Sequence, residues 1–283
     1  MNSRWPRRGE AAAGPAPRGL YLITPDDDDT ARLVARVGEV IGLATLLQYR
    51  NKSAGRALRQ EQAGALLQLC REAGVPLLIN DDWQLAAQIG ADGAHLGEAD
   101  GALREARQAM GDDAILGASC YDDLGLAEAA ARDGASYLAF GAFFASPTKP
   151  KARRATPGLL AQSARFGLPR VAIGGITPDN AGSLVDAGAD LLAVISGVFE
   201  ALDPVAAARA YLACFKGGER VQPTDPLHAG EAGLASQRAS LREQGIAAET
   251  PPARKELLQG HESPLAQDAA PARSAMKDGE DHT

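Results

Sequence analysis

The sequence predicts an α/β protein built as a single (β/α)8 TIM barrel. Short apolar runs alternate with amphipathic segments eight times between residues 19 and 216. Buried strands separated by amphipathic helices are typical of a parallel sheet. Eight repeats of strand and helix over about 200 residues indicate a closed barrel rather than an open sheet.

Composition narrows the class of protein. The chain has 283 residues, of which 45% are hydrophobic, and a formal net charge of −7 that argues against a nucleic-acid partner. Its three cysteines are too few and too widely spaced for a disulfide framework or a zinc site, so we expect a cytoplasmic protein. No apolar run reaches the roughly 18 residues of a membrane helix, so we expect no membrane partner. The sequence leaves the oligomeric state open, a homo-oligomer included.

The chain divides into three segments. Residues 1–18 are rich in Arg, Ala, Pro and Gly without a period, which predicts a disordered leader. Residues 19–216 form the predicted barrel domain. Residues 217–283 contain no aromatic residue and few branched aliphatic ones. Such a segment cannot bury enough surface to offset its ordering entropy, so we expect a largely disordered tail.

The elements follow from the hydrophobic pattern, taken in order. Predicted strands occupy residues 19–24, 43–49, 77–79, 93–96, 114–119, 137–140, 170–173 and 191–195. Predicted helices include residues 58–73, 103–110, 123–133, 159–166, 178–187 and 205–215, and two more follow the first and third strands. The aspartates at 26–29 favour a helix N-terminus, although a solvated acidic turn explains them equally well. Cys70 lies on the apolar face of its helix, which indicates core packing.

In a barrel of this kind, residues that follow the strands form the active face. Asn80, Asp81 and Asp82 follow the third strand and Asp100 follows the fourth, so these carboxylates are candidate ligands for Mg²⁺ or, alternatively, helix caps. His95 lies within an apolar strand and is interpreted as a core histidine.

Cationic and hydroxyl side chains follow other strands. Gln48, Arg50 and Lys52 follow the second strand and fit a polyanion such as pyrophosphate, with a solvated basic loop as the alternative. Ser119 could donate to a phosphate, whereas the neighbouring Cys120 lacks an activating His or Lys nearby in sequence.

Two further loops predict phosphate binding. After the sixth strand, Ser146, Thr148 and Lys149 in a proline-stiffened loop fit a flap over phosphoryl oxygens, with an ordinary charged loop as the competing account. Glycines follow the seventh and eighth strands, among them Gly175 and, after Ser196, Gly197. Such glycines allow backbone N–H groups to approach a phosphate. Barrel enzymes commonly bind a phosphate between these two loops.

With these motifs assembled, the chain resembles the thiamine-phosphate synthase (thiamin-phosphate pyrophosphorylase) family. The matching segments are YLIT at 21–24, QYRNK at 48–52, INDD at 79–82, GAHLGEAD at 93–100, FASPTK at 144–149, AIGGI at 172–176 and AVIS at 193–196. They occur in the family's order and near its spacing, over about residues 19–216.

The resemblance implies a barrel enzyme that joins hydroxymethylpyrimidine diphosphate to a thiazole phosphate, giving thiamine phosphate and pyrophosphate. It implies Mg²⁺ held by Asp81 and Asp100. It implies pyrophosphate contacts from Arg50, Lys52, Asn80 and Lys149 with Gln48 beside them, Ser119 near the reacting centre, and a thiazole-phosphate site at Ser146, Thr148, Gly175, Ile195 and Ser196. Lys149, Arg50 and Ser119 are the implied catalytic residues.

Two alternatives remain. A thiazole tautomerase shares the barrel but uses a histidine after the fifth strand, where this chain has Tyr121. A non-catalytic phospholigand-binding protein would use the tail for interactions, but it would not need both aspartates and the flap lysine.

Overall fold

Eight parallel strands close into a barrel in chain order, as the sequence predicts. The computed structural model describes Trp5 and residues 16–97, 103–145 and 153–216. The strands are β1 Gly19–Ile23, β2 Ala44–Tyr49, β3 Leu77–Asn80, β4 Gly93–Leu96, β5 Ile115–Tyr121, β6 Tyr137–Gly141, β7 Arg170–Ile173 and β8 Leu191–Val194. Because β1 pairs with both β2 and β8, the sheet has no free edge.

Helices follow the strands around the barrel. They are α1 Thr30–Val40, α2 Arg56–Ala73, α3 Trp83–Ile89, α4 Leu103–Met110, α5 Leu124–Asp133, α6 Pro157–Gln162, α7 Pro178–Asp186, α8 Ser196–Phe199 and α9 Pro204–Ala213. The structure corrects the prediction at several boundaries. The predicted helix 159–166 is a short α-helix followed by a 3-10 turn at Ser163–Phe166, and the four-residue α8 was not predicted.

Aspartates begin several of the helices. Asp29 caps α1 by accepting a hydrogen bond from the backbone N–H of Arg32, and Asp123 and Asp203 cap α5 and α9 in the same way. A side-chain oxygen at this position satisfies an N–H group that the helix itself cannot. The acidic run at 26–29 therefore starts a helix, which decides between the two interpretations that the sequence left open.

The core has two layers because successive strand residues point to opposite faces. Outward side chains such as Leu22, Leu47 and Leu138 pack against the helices. Inward side chains fill the barrel, and this inner cluster contains Tyr21, Leu46, Leu78, Ile115, Tyr137, Ala139, Val171, Leu191 and Ala193. Cys70 is buried in the outer layer, which confirms its packing role.

Trp5 joins the inner cluster although it precedes β1 by 14 residues. Its ring centroid lies 5.6 Å from that of Tyr137, and its side chain is buried.

Two parts of the chain lie outside the described residues. They are residues 1–4 and 6–15 of the predicted leader and all of the predicted tail 217–283. The chain separates into two units, Met1–Val221 and Gln222–Thr283, of which only the first contains described residues. Within the described residues, no helix is long and apolar enough to cross a bilayer.

Candidate active site

A cavity of about 240 Å³ lies where β2 and β3 end. It is lined by Tyr49, Asn51, Lys52, Arg59, Ile79, Asn80, Asp81, Asp82 and Leu85. The structure therefore brings together three of the predicted site residues, Lys52, Asn80 and Asp81. The cavity lining combines cations with carboxylates, which suits a metal-bound anion better than a free cation or anion.

Arg50 stands beside this cavity and is fixed by its neighbours. Its Nη1 lies 2.9 Å from Oδ1 of Asp26, and its side chain is 18% exposed. Its backbone N–H donates to the hydroxyl of Thr24 at 2.8 Å, and that hydroxyl donates to the Arg50 carbonyl at 2.9 Å. The same Asp26 oxygen accepts from the backbone N–H of Lys52 at 3.1 Å. The β1 loop thus orients the segment that carries both cations.

Asp81 ends β3 in an unusual backbone conformation. Its φ is +62°, a left-handed value that aspartate tolerates better than most residues. Its N–H donates to the His95 carbonyl at 2.8 Å, and Asn80 donates its amide to the Asp81 carboxylate at 2.6 Å. These bonds hold the carboxylate at the cavity.

The predicted partner of Asp81 lies elsewhere in the chain. Asp100 is outside the described residues, so the structure describes only one of the two predicted metal ligands, Asp81. Within the described ranges, no three His, Cys, Asp or Glu side chains converge on one point. An oxygen-only set of carboxylate and amide groups at Asp81 and Asn80 nevertheless has the chemistry that Mg²⁺ prefers.

Asp82 has a structural task. Its carboxylate accepts from the N–H of Leu85 at 2.8 Å and caps α3, which confirms the cap interpretation for this residue.

Arg59 lines the same cavity and was not predicted from the sequence. Its Nη1 lies 3.9 Å from Asp82, and its buried Nε has no hydrogen-bond partner among the described residues. Its place in the first turn of a helix gave no local signal.

A chain of hydrogen bonds crosses the barrel interior between Gln48 and Ser119. Gln48 donates its amide to the Tyr21 hydroxyl, which lies 2.7 Å from the Tyr137 hydroxyl. Tyr137 lies 2.8 Å from His95 Nδ1, and His95 Nε2 lies 2.9 Å from the Ser119 hydroxyl. Both ring nitrogens of His95 are therefore engaged, so the histidine is satisfied as predicted, but its side chain is half-buried rather than in the core.

Tyr137 is the centre of this chain and was not predicted. Burial raises its pKa well above the ordinary tyrosine value, and the neighbouring Tyr21 adds to the shift. Its ring fills space left by Gly117 on β5, where a Cβ would lie 2.1 Å from the Tyr137 hydroxyl. A glycine and a tyrosine at inward positions of adjacent strands were the available signal.

Cys120 lies next to Ser119 but points away from the site chemistry. It is fully buried, and burial raises its pKa to about 12. A thiol with so high a pKa holds almost no thiolate near neutral pH. The structure agrees with excluding Cys120 as a nucleophile.

The predicted phosphate loops meet on the other side of the barrel opening. Gly174 and Gly175 have φ values of +99° and +63°, and a Cβ on Gly175 would lie 2.5 Å from the Ala145 carbonyl oxygen. The Gly175 loop therefore contacts the start of the predicted flap. Ile195 precedes α8, and Ser196 is exposed at its first position. Ser146, Thr148 and Lys149 of the flap lie outside the described residues.

Comparison with known proteins identifies close relatives. The sequence profile of a family described as "Thiamine monophosphate synthase" matches residues 20–198. A Xanthomonas campestris thiamine-phosphate synthase is 59% identical over 198 residues, which cover 70% of this chain and 96% of the relative. A Xylella fastidiosa thiamine-phosphate synthase is 55% identical over 201 residues, which cover 71% of this chain and 86% of the relative.

Solved structures agree with these relatives. Thiamine phosphate pyrophosphorylase from Pyrococcus furiosus is 32% identical, with a TM-score of 0.62 and coverage of 70% of this chain and 95% of that one. An orotidine 5'-phosphate decarboxylase from Pyrococcus horikoshii gives a TM-score of 0.53 at 16% identity, which shows a shared fold alone.

Proposed function

The chain belongs to the thiamine monophosphate synthase family, and we propose that it joins 4-amino-2-methyl-5-hydroxymethylpyrimidine diphosphate to a thiazole phosphate. The products are thiamine phosphate and pyrophosphate. The observation that carries the proposal is family membership over residues 20–198, with relatives at 59% and 55% identity that bear this activity in their names. The cavity with Lys52, Asn80 and Asp81 beside Arg50 supports a pyrophosphate leaving group.

Charge at the cavity supports a mechanism in which pyrophosphate leaves first. The electron-rich aminopyrimidine stabilises the methylene cation that remains, and the thiazole nitrogen then attacks that carbon. Arg50 and Lys52, with Lys149 of the flap, offset the negative charge that grows on the leaving oxygens. Asn80 donates a hydrogen bond to the same group.

Mg²⁺ fits the donor set and would be held by Asp81 and Asp100. Bound there, it supplies a positive charge against the diphosphate. Asn80 and the backbone bond to His95 keep the Asp81 carboxylate turned toward the cavity. Holding one ligand in place in this way reduces the ordering cost of binding.

This mechanism needs no strong base or nucleophile. His95 has both ring nitrogens in hydrogen bonds, and the Cys120 thiol is buried with a raised pKa. These side chains are therefore poorly suited to base or nucleophilic catalysis. Ser119 lies beside the reacting centre in our assignment, and Gln48 lies beside the residues that contact the pyrophosphate.

The second substrate occupies the opposite side of the opening. Backbone N–H groups near Gly175 and at Ile195 and Ser196, with the flap hydroxyls of Ser146 and Thr148, bind the thiazole phosphate. This arrangement holds the thiazole nitrogen close to the methylene cation, so that attack by the thiazole is fast relative to capture of the cation by water.

We also assign the enzyme to the cytoplasm, where its three free cysteines remain reduced.

A coupled assay tests the proposal. Full-length protein is mixed with Mg²⁺, pyrimidine diphosphate and thiazole phosphate, and thiamine phosphate and pyrophosphate are measured by chromatography. We expect equal amounts of both products, and neither when one substrate is omitted or EDTA is present. Absence of thiamine phosphate in the complete mixture would exclude the proposed activity.

A further inference from the structure

The hydrogen-bond chain between Gln48 and Ser119 contains three intervening residues that have no role in the proposed function. It runs through Tyr21, Tyr137 and His95, which come from β1, β6 and β4. Tyr21 and Tyr137 are almost completely buried, so their hydroxyls cannot touch a substrate in the opening. The two ends of the chain, Gln48 and Ser119, are predicted site residues, but Gln48 is 2% exposed, so the half-buried Ser119 is the end that can reach a substrate.

Starting from the Gln48 amide donor, one direction satisfies every group in the chain. The Gln48 amide nitrogen donates to Tyr21, so the Tyr21 hydroxyl uses its own proton toward Tyr137. In that direction Tyr137 donates to His95 Nδ1, which is the unprotonated nitrogen of the ring. In a neutral imidazole the proton is then on Nε2, which donates to the Ser119 oxygen. The Ser119 proton is left free to point into the site.

We propose that Tyr137 is a positioning residue that, through His95, holds Ser119 as a hydrogen-bond donor toward the pyrimidine substrate. This inference rests on the proposed function. Ser119 is a small hydroxyl that rotates freely when nothing fixes it. The bond from His95 fills one acceptor position of the oxygen, so the hydroxyl proton points away from His95. Tyr21 and Gln48 fix the orientation of the Tyr137 hydroxyl in turn.

Packing supports this role for Tyr137. Its ring stacks on His95 with an interplanar angle of 15° and meets the Tyr21 ring edge-on at 88°. Trp5 packs on it as well, and Gly117 leaves room for it. A ring held by so many neighbours fixes its hydroxyl to within a small distance, which is what a positioning residue requires.

The test is a double-mutant cycle between Tyr137→Phe and Ser119→Ala. We expect Tyr137→Phe to lower kcat/KM for the pyrimidine diphosphate by about tenfold, the upper range for one hydrogen bond. In the Ser119→Ala background the same change should cost less than about twofold, because the hydroxyl that Tyr137 orients is gone. A merely structural role would give the same loss in both backgrounds, and this result would overturn the inference.

Two further variants keep the test decisive. Tyr21→Phe cuts the chain one step earlier and is used if Tyr137→Phe does not fold; its loss should also shrink in the Ser119→Ala background. Tyr211→Phe is the matched control, since its buried hydroxyl donates to the Ile176 carbonyl at 2.8 Å, outside the chain. We expect that control to lose thermal stability and to keep the KM of the pyrimidine diphosphate.

The wild-type enzyme separates the two proposals. If it forms no thiamine phosphate, the proposed function fails, and the positioning role falls with it. If it turns over and Tyr137→Phe and Tyr21→Phe match it in every kinetic constant, only the positioning role fails.

Discussion

Asp26 holds Arg50 in place: its Oδ1 lies 2.9 Å from Arg50 Nη1 and also accepts from the backbone N–H of Lys52 at 3.1 Å. One carboxylate therefore holds the Arg50 guanidinium and the backbone at Lys52, the two residues whose cations we assign to the pyrophosphate. Asp26 also carries a negative charge that competes with the substrate for Arg50. The two effects have opposite signs, and a substitution distinguishes them.

Asp26→Ala should raise the KM of the pyrimidine diphosphate by about three- to tenfold, since Arg50 loses its fixed orientation and must be ordered by the substrate. Steady-state kinetics with thiazole phosphate in excess measure this change. Asp28→Ala is the control, because that side chain belongs to the same acidic run and is 92% exposed. A lower KM in Asp26→Ala would show that competition for Arg50 outweighs its orientation.

Asp81→Asn should abolish turnover at any practical Mg²⁺ concentration and leave the barrel folded. Asparagine tolerates the φ of +62° at this position, so the substitution removes charge without adding backbone strain. Turnover and circular dichroism are measured together. The neighbouring Asp82→Ala is the comparison: it removes a helix cap and should cost about 1 kcal/mol of stability. If Asp81→Asn keeps normal Mg²⁺-dependent turnover, our ligand assignment is wrong.

Gly175→Ala should destabilise the protein and raise the KM of the thiazole phosphate. The new Cβ would lie 2.5 Å from the Ala145 carbonyl oxygen, so the flap base or the phosphate loop must move. Gly167→Ala is the matched control, since its φ is +68° with nothing within 4 Å of the new atom. Its free energy of unfolding should fall by about 1 kcal/mol, the cost of placing alanine in a left-handed backbone conformation. Equal effects of the two substitutions on the thiazole KM would contradict our placement of the phosphate.

Asp27→Asn should destabilise the barrel at neutral pH and have little effect in acid. The hydrogen bond from Arg32 and its positive charge hold the pKa of Asp27 below its ordinary value. A group with a lowered pKa stabilises the fold above its unfolded pKa of about 4, and this contribution disappears as pH falls through the folded value. Urea unfolding of the wild-type protein and of Asp27→Asn between pH 7 and pH 3 measures the difference.

We expect about 2 kcal/mol at pH 7, the typical value of a hydrogen bond to a charged group at a side chain that is 3% exposed. Asp28→Asn, which also contacts Arg32 at 2.8 Å, should change stability by less than about 0.5 kcal/mol because it is exposed. A difference for Asp27→Asn that does not shrink in acid would mean that its carboxylate does not stabilise the fold by its charge.

The barrel was predictable because its signals are local. Each strand is a short apolar run, and helices begin at residues such as Asp29 and Asp123, whose side chains cap them. The predicted strands match the observed ones to within two residues at either end. The four-residue α8 escaped prediction because it spans barely one helical turn, too short for a hydrophobic pattern to repeat.

The interior of the site was less predictable. Gln48, Asn80 and Ser119 could be placed at strand ends, but the link between Gln48 and Ser119 depends on Tyr21 and Tyr137, which are 116 positions apart. Such a contact follows from the register of the closed sheet, which no short motif encodes. The same holds for Arg59, which reaches the cavity from a helix.

The most direct test of the account is a crystal structure of the full chain with Mg²⁺, thiamine phosphate and pyrophosphate. We predict pyrophosphate in the cavity at the ends of β2 and β3, in contact with Arg50, Lys52 and Asn80, and a metal ion on Asp81. Pyrophosphate bound instead in the cavity of about 590 Å³ between Asp122 and Arg153 would contradict the proposed site.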